Sequence, residues 1–120
     1  MVSTNYKGLK FYKLAHFFTL EIYKITKEYP KEELYSLVSQ TRRSAASIPA
    51  NICEGSAKTT QADFKRFLSI SLGSAKESEY WILLAKDLGY IQVSTYDRLT
   101  NILNEIIGSL TNYIKKINEN

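Results

Sequence analysis

The feature that most constrains the fold is a helical spacing of apolar residues, which recurs in four segments of this 120-residue chain. In the first segment, Leu14, Phe18, Ile22 and Ile25 follow one another at intervals of four and three. This spacing places them on one face of an α-helix. A sheet protein would need many turns, whereas the chain holds only five Gly and two Pro. The pattern therefore predicts an all-α protein.

The residues between the segments predict where the helices begin and end. Pro30 suits a helix start, Gly89 suits a helix end, and Thr60 with Asp63 resembles an N-terminal capping box. We expect helices over about residues 10–28, 31–56, 61–88 and 95–118, within one domain covering 1–120. Short connections favour antiparallel neighbours, so the predicted architecture is an antiparallel up-down four-helix bundle.

The second helix contains an interior proline, Pro49. A proline there removes one backbone hydrogen bond and crowds the carbonyl of Ala45, which predicts that helix two is kinked at Pro49. Asn51 offers donors and an acceptor for backbone groups freed near the bend. Gly55 is expected to help end the helix.

Arg42, Arg43 and Glu54 flank the proline on the same predicted helix. If residues 43–54 stay helical, eleven positions bring Arg43 and Glu54 back to nearly one face. We therefore predict that Arg42 or Arg43 pairs with Glu54, or with an acid of a neighbouring protomer. This pairing would hold the kink or an interface.

The chain contains few of the residues that most often catalyse reactions or bind metals, since it has one Cys and one His. A ferritin-like di-iron bundle needs a Glu-x-x-His motif on each of two helices, and the residue three positions before His16 is Lys13. Cys53 has no imidazole to activate it and lies beside Ile52, so we expect a buried structural thiol. We predict no enzyme activity, no metal and no cofactor, with an inter-subunit site built from Tyr, Arg and Glu as the least favoured alternative.

The charge is mildly basic, with 16 Lys and Arg against 12 Asp and Glu, a formal net charge of +4. Residues 1–30 hold five lysines against two glutamates. Cations in contact with phosphate release counterions and strengthen nucleic-acid binding. The competing interpretation is a set of solvated helix faces. The candidate contacts for RNA or DNA are Lys10, Lys13, Lys65, Arg66, Lys115 and Lys116.

Apolar residues exceed what a small bundle needs, since the chain has nine Tyr, five Phe and one Trp. The first and third segments each show more than one apolar face, which predicts self-association. The alternative is a fully internal core whose Tyr hydroxyls reach the surface. No signal-peptide pattern and no uncharged run of about 18 residues are present, so we expect a cytoplasmic protein without a membrane role. No small-molecule substrate is evident.

Nearly the whole chain, from about Tyr6 to Tyr113, resembles a known family. The resemblance rests on the runs Tyr29–Leu37, Ser39–Ala45 and Ser47–Gly55, followed by Phe64-x-x-Phe67-Leu68, Leu72-Gly73-Ser74 and Leu84–Ile91. These are similar to the 23S rRNA intervening-sequence proteins, which are four-helix bundles. Cys53 stands where the family commonly has Ala, and Ser36 and Ser71 stand where Gly and Ala are common.

The resemblance implies a homopentamer without enzymatic activity or cofactor. A more distant similarity links the chain to the accessory variability proteins of diversity-generating retroelements, which are basic pentamers that engage nucleic acid and a reverse transcriptase. Two functions follow as hypotheses. The first is a non-enzymatic, homo-oligomeric, pentameric helical scaffold, and the second is a nucleic-acid-binding accessory protein that uses the basic faces of the oligomer.

Overall fold

The computed structural model describes residues 5–119. Four long helices account for most of this range: α1 (Lys10–Thr26), α2 (Ser39–Ser56), α3 (Gln61–Asp87) and α4 (Val93–Glu119). A single 3₁₀ turn, Tyr6–Gly8, precedes α1, and the described residues contain no strand. The predicted all-α four-helix fold is confirmed.

The contacts between consecutive helices show that these helices are antiparallel. Between α2 and α3, the Ser44 hydroxyl lies 2.9 Å from the Ser78 hydroxyl, and the next level pairs Ser47 with Ser74 at 2.8 Å. Lys65 near the start of α3 donates to an oxygen of Asn118 near the end of α4. The Phe11 ring at the start of α1 lies 5.3 Å from the Tyr113 ring in the later part of α4, measured between centres. The start of α1, the end of α2, the start of α3 and the end of α4 therefore lie at one end of the bundle.

The core forms where each helix turns its apolar stripe inward. α4 supplies four fully buried aliphatic side chains at helical spacing, and each contributes roughly 1.5–3 kcal/mol through burial. The largest side chains buried in this core are Phe18, Ile22, Ile48, Ile52, Phe64, Leu68, Ile82, Leu99, Leu103, Ile106 and Leu110. Among the described residues, no helix is both long enough and apolar enough to cross a bilayer.

Helices α2 and α3 approach each other closely, and Gly55 lies at the tightest point. A Cβ at Gly55 would stand 2.7 Å from the Cβ of Phe67 and 3.2 Å from the ring of Phe64. Gly55 lies inside α2, and the positive φ angle among the described glycines belongs to Gly89, at 82°. The expectation that Gly55 acts as a helix terminator was wrong, because its role is close packing, whereas Gly89 ends α3 as predicted.

The boundaries differ from the predicted ones by two residues or more at three places, of which the first is the end of α1, at Thr26 rather than at residue 28. The segment expected to be α-helical from residue 31 begins with a 3₁₀ turn at Lys31–Glu33 and a π-helical turn at Leu34–Val38 before α2 starts. α4 begins at Val93 rather than at residue 95, because the Tyr96 amide donates to the Gln92 carbonyl and closes an earlier turn. The Thr60 cap is confirmed, since its hydroxyl accepts from the Asp63 amide at 3.1 Å.

Helix α2 continues without a break through Pro49. The carbonyl of Ala45, which has no partner at position 49, lies 3.0 Å from the Thr19 hydroxyl of α1. That hydroxyl also lies 2.8 Å from the Ala15 carbonyl of its own helix, so its one proton is shared between the two carbonyls. Asn51 donates instead to the carbonyl of Ser47 at 2.8 Å. The freed carbonyl is thus satisfied by a neighbouring helix rather than by Asn51, and the angle of the expected kink stays a prediction.

Candidate interaction surfaces: a basic half, an apolar neutral half and an aromatic row

Arg42 and Arg43 have partners other than the one expected. Arg42 donates from Nε to the Thr26 hydroxyl at 2.9 Å, and its guanidinium lies 4.7 Å from the centre of the Tyr23 ring. Arg43 forms an ion pair with Glu77 of α3. Within the described residues neither arginine contacts Glu54, so the predicted pairing inside the chain was wrong. Eleven residues of helix separate Arg43 from Glu54 by about 16 Å along the axis, which is too far for an ion pair.

Glu77 joins α2 to α3 through a small polar network. Besides the ion pair with Arg43, its carboxylate accepts from the indole nitrogen of Trp81 at 2.9 Å. Arg43 also donates to the side chain of Gln40 at 3.0 Å. At the surface of the bundle, Arg42 therefore links α2 to α1, and Arg43 links α2 to α3.

The six candidate nucleic-acid contacts come together at one end of the molecule. We call residues 5–18, 48–74 and 105–119 the basic half, and residues 19–47 and 75–104 the neutral half. The Ser47–Ser74 hydrogen bond marks the level between them. All six predicted cations, Lys10, Lys13, Lys65, Arg66, Lys115 and Lys116, belong to the basic half.

The division also separates the charge. The basic half holds eight Lys and Arg against four acids, whereas the neutral half holds eight of each. The entire formal excess of +4 therefore lies in the basic half. The sequence placed most of this excess in the first helix, but the fold adds the cations of the α3 start and the α4 end to it.

Contacts within the basic half leave most of its charge available. Lys10 lies 3.9 Å from Glu105, and Lys65 donates to the neutral Asn118 at 2.9 Å. Arg66 lies 3.9 Å from Asp63 and stacks on the Phe67 ring at 4.6 Å. These are surface contacts, which hold side chains in place but add little to stability.

Sequence reasoning missed two cations of the basic half, Lys7 and Lys58. Lys58 follows α2, and its ammonium lies 5.0 Å from the centre of the Phe67 ring. Lys7 lies in the 3₁₀ turn before α1. The predicted antiparallel topology places Lys7 and Lys58 at the same end of the bundle as the six predicted cations, so both lysines could have been predicted from the sequence.

Seven large apolar side chains are exposed in the neutral half, against two in the basic half, Phe17 and Ile70. The most exposed is Tyr35, at 91%. Grooves of about 420 and 390 Å³ lie on its two sides, the second one lined in part by Trp81, Leu84 and Leu88. The seven are Leu20, Tyr23, Leu34, Tyr35, Tyr80, Leu88 and Val93.

A row of three aromatic rings runs along the start of α1. The Tyr6 and Tyr12 rings meet edge to face with 5.0 Å between their centres. The Tyr12 and His16 rings are parallel to within 2°, with 6.2 Å between centres. We call Tyr6, Tyr12 and His16 the aromatic row.

Cys53 lies beside the aromatic row, and it is exposed. The expectation of a buried thiol was wrong, because the position after Ile52 is turned about 100° away from the core stripe. A hydrogen bond with the Cys53 thiol raises the pKa of Tyr6 above its usual value. The thiol thus lies at the surface near Tyr6 rather than in the core.

At the neutral end, Glu33 links the segment before α2 to the turn between α3 and α4. Its carboxylate accepts from Ser36 at 2.6 Å and from the Tyr90 hydroxyl at 2.8 Å. The hydrogen bond from Ser36 has the larger effect and that from Tyr90 the smaller, and both lower the pKa of Glu33. The hydrogen bond to Glu33 raises the pKa of Tyr90. Nearby, burial raises the pKa of Tyr29 to about 12.

The fold defines the class of protein first: a small all-α bundle of four helices. Among the described residues, no three His, Cys, Asp or Glu side chains are placed to hold a metal ion. The sequence profile of the 23S rRNA-intervening sequence proteins matches residues 7–112. The chain therefore belongs to that family.

A solved structure supports the same conclusion. It is a protein of unknown function from the S23 ribosomal protein family of Bacteroides thetaiotaomicron VPI-5482, which is 32% identical in sequence. The match covers 88% of this chain and 95% of the other, with a TM-score of 0.81. A search of functionally curated proteins found no match.

Proposed function

We propose that this protein is a non-enzymatic homo-oligomer, a pentamer in the cytoplasm, which assembles through its neutral half. The observation that carries the proposal is the concentration of seven exposed large apolar side chains in the half with no net charge. Four of the seven line the two grooves beside Tyr35, and exposed apolar side chains grouped in this way are typical of an interface. The number five follows the family resemblance.

The energetics favour association at this half. Fully covering a large apolar side chain contributes roughly 1.5–3 kcal/mol, so covering seven partly exposed ones contributes several kcal/mol. Tyr35 stands 91% exposed between two grooves, a shape that suits insertion into a groove of a second copy. Because positive and negative charges balance there, copies meet without net repulsion.

Light scattering at micromolar concentration tests the assembly. We expect a mass of five 13.8 kDa chains, about 69 kDa. Leu88→Glu changes the neutral half just after the end of α3 and should lower that mass, whereas the matched change Ile70→Glu within α3, in the basic half, should not. The two positions are similarly exposed, at 50% and 42%. A wild-type mass of 13.8 kDa would reject self-association, and equal effects of the two changes would reject the neutral half as its site.

A second candidate function is nucleic-acid binding by the basic half. The observation that favours it is the gathering of eight cations against four acids at one end of the bundle. Assembly would multiply this charge, since five chains of +4 carry +20. Clustered Lys and Arg on one surface are the electrostatic feature of nucleic-acid-binding proteins.

Binding to RNA and DNA across a salt series tests this second function. Lys115→Gln with Lys116→Gln should weaken binding and reduce the slope of log K against log salt by about 0.7–0.9 for each phosphate that the protein no longer neutralises. Lys24→Gln with Lys27→Gln removes the same charge from the neutral half and should change the slope less. No affinity at low salt would reject the function, and equal slopes would reject the basic half as its site.

A further inference from the structure

We propose that the aromatic row is a stacking platform for the bases of single-stranded nucleic acid, a proposal that rests on nucleic-acid binding by the basic half. Tyr12 and His16 lie one turn apart on one side of α1, and Tyr6 lies in the 3₁₀ turn before it, with its ring against that of Tyr12. The row thus offers successive aromatic faces beside the most basic part of the surface. Base stacking on aromatic side chains is the usual way in which proteins hold unpaired bases.

The position of the row keeps its rings fixed yet accessible. Tyr6 and Tyr12 are half-buried and pack against the core, whereas His16 is exposed. Tyr12 and His16 are four residues apart, so about 6 Å of helix axis separates their backbones. Because the two tyrosine rings are already held against the core, little side-chain entropy is lost when a base stacks on them.

The charge around the row suits a phosphate backbone. Residues 1–20 contain no Asp or Glu, and the Lys7 ammonium lies 6.0 Å from the centre of the Tyr6 ring. Lys13 precedes His16 by three residues and so neighbours it on the helix surface. Lys10 lies about 160° around the helix from Tyr12, beside Glu105, and contributes less to the row. The first acid, Glu21, is paired with Arg98 of α4. A strand lying along the start of α1 would therefore meet cations on its phosphates and rings on its bases.

The same geometry selects unpaired bases. In a duplex the bases stack on one another and their faces are closed to a side chain, whereas in a single strand these faces are open. The lysines alone would attract both forms, because phosphate contacts carry no information about strandedness. The aromatic row is what adds a preference for the single strand.

The ring proton resonance of His16 gives a direct test, because His16 is the only histidine of the chain. Titration with a 12-nucleotide single-stranded oligothymidylate at low salt should move the Hε1 signal upfield by the ring current of a stacked base. A duplex of the same length, and heparin, a polyanion without bases, should not produce this upfield shift. The same shift with all three probes would overturn the proposal, as would none with the single strand.

Substitutions test the affinity. Tyr12→Leu and His16→Ala should each weaken binding of the single strand by about tenfold, with an unchanged salt slope and unchanged duplex binding. His16→Ala leaves the core intact, which guards against a Tyr12 variant that misfolds. The control is Tyr80→Leu, which removes an exposed aromatic ring of the neutral half.

The outcomes separate the two proposals. If neither single strands nor duplexes bind at low salt, nucleic-acid binding fails and stacking fails with it. If both bind equally and the His16 and Tyr12 variants bind like wild type, the basic half functions and only the stacking platform is rejected. An effect of Tyr80→Leu equal to that of His16→Ala also rejects the platform.

Discussion

Gly55 shows how a single residue is constrained by its neighbours rather than by its own backbone. It lies inside α2 without a positive φ angle, and helix interiors ordinarily disfavour glycine. A Cβ would stand only 2.7 Å from the Cβ of Phe67, and neither of these atoms can move without its backbone. The absence of a side chain is therefore what allows α2 and α3 to approach.

Gly55→Ala should destabilise the fold by about 1–3 kcal/mol, because the two helices must move apart to admit a methyl group. Gly73→Ala and Gly108→Ala are matched controls, since a Cβ at either position meets no atom within 4 Å. Both lie in helix interiors and should stabilise the protein by about 0.5–1 kcal/mol. Urea unfolding measures all three, and a Gly55→Ala variant as stable as wild type would contradict the packing argument.

Single residues also show where sequence reasoning was limited. The Thr60 cap was predictable because its partner, Asp63, lies three residues away on the chain. Arg43 was assigned the wrong acid because helical periodicity reports direction around the axis but ignores distance along it. Its actual partner, Glu77, is 34 residues away and becomes a neighbour only when α3 packs on α2.

At the scale of elements, α1 compensates for the proline in α2. Pro49 has no amide hydrogen to offer the Ala45 carbonyl, and the Thr19 hydroxyl donates to that carbonyl across the helix pair. An unsatisfied carbonyl in this place would destabilise the fold. The interior proline is thus tolerated because a side chain of α1 donates to the α2 carbonyl that the proline leaves without a donor.

A double-mutant cycle tests this compensation. Thr19→Val should lower the free energy of unfolding by about 1–2 kcal/mol, because the Ala45 carbonyl loses its donor. In a Pro49→Ala background the new amide at position 49 can serve that carbonyl, so the same Thr19→Val change should cost about 1 kcal/mol less. Denaturant unfolding of the four proteins gives the coupling energy, and a coupling of zero would contradict the interpretation.

The segment between α1 and α2 depends on pH through Glu33. Hydrogen bonds from Ser36 and Tyr90 lower its pKa from the usual 4.5 in the folded protein. A lowered folded pKa means that the stabilisation is complete above the unfolded pKa and is lost as the pH falls through the folded one. Acid should therefore loosen the link to the α3–α4 turn.

Glu33→Gln should make the loss of stability on acidification shallower between about pH 5 and pH 3, because the variant has no carboxylate to protonate there. Thermal unfolding at a series of pH values measures the difference from wild type. Glu32→Gln is the control, since it removes a neighbouring charge without touching the Tyr90 hydrogen bond. If the thermal stability of wild type and of Glu33→Gln depended on pH in the same way, Glu33 would not be the group that makes the fold sensitive to acid.

At the scale of the whole molecule, the bundle separates charge from apolar surface. One half carries the net charge of +4, and the other carries seven of the nine exposed large apolar side chains. Salt acts differently on the two kinds of contact. Phosphate contacts weaken steeply as salt rises, whereas apolar burial does not.

Raising NaCl from about 0.1 M to 1 M should therefore leave the oligomer mass unchanged while abolishing nucleic-acid binding, because the Debye length falls from about 10 Å to 3 Å. Light scattering and a binding assay on the same samples measure the two effects. An oligomer that dissociates in 1 M salt would indicate that ionic contacts, rather than the neutral half, hold it together.

The sequence by itself determined the four helices, their order, the Thr60 cap, the stop at Gly89 and the family. All of these depend on residues close together in the chain, whose spacing is fixed by helix geometry. Only the tertiary structure decided which groups from different helices meet, including Arg43 with Glu77 and Thr19 with the Ala45 carbonyl. The physical reason is that these meetings depend on the register and separation of packed helices, which residue spacing within one helix does not encode.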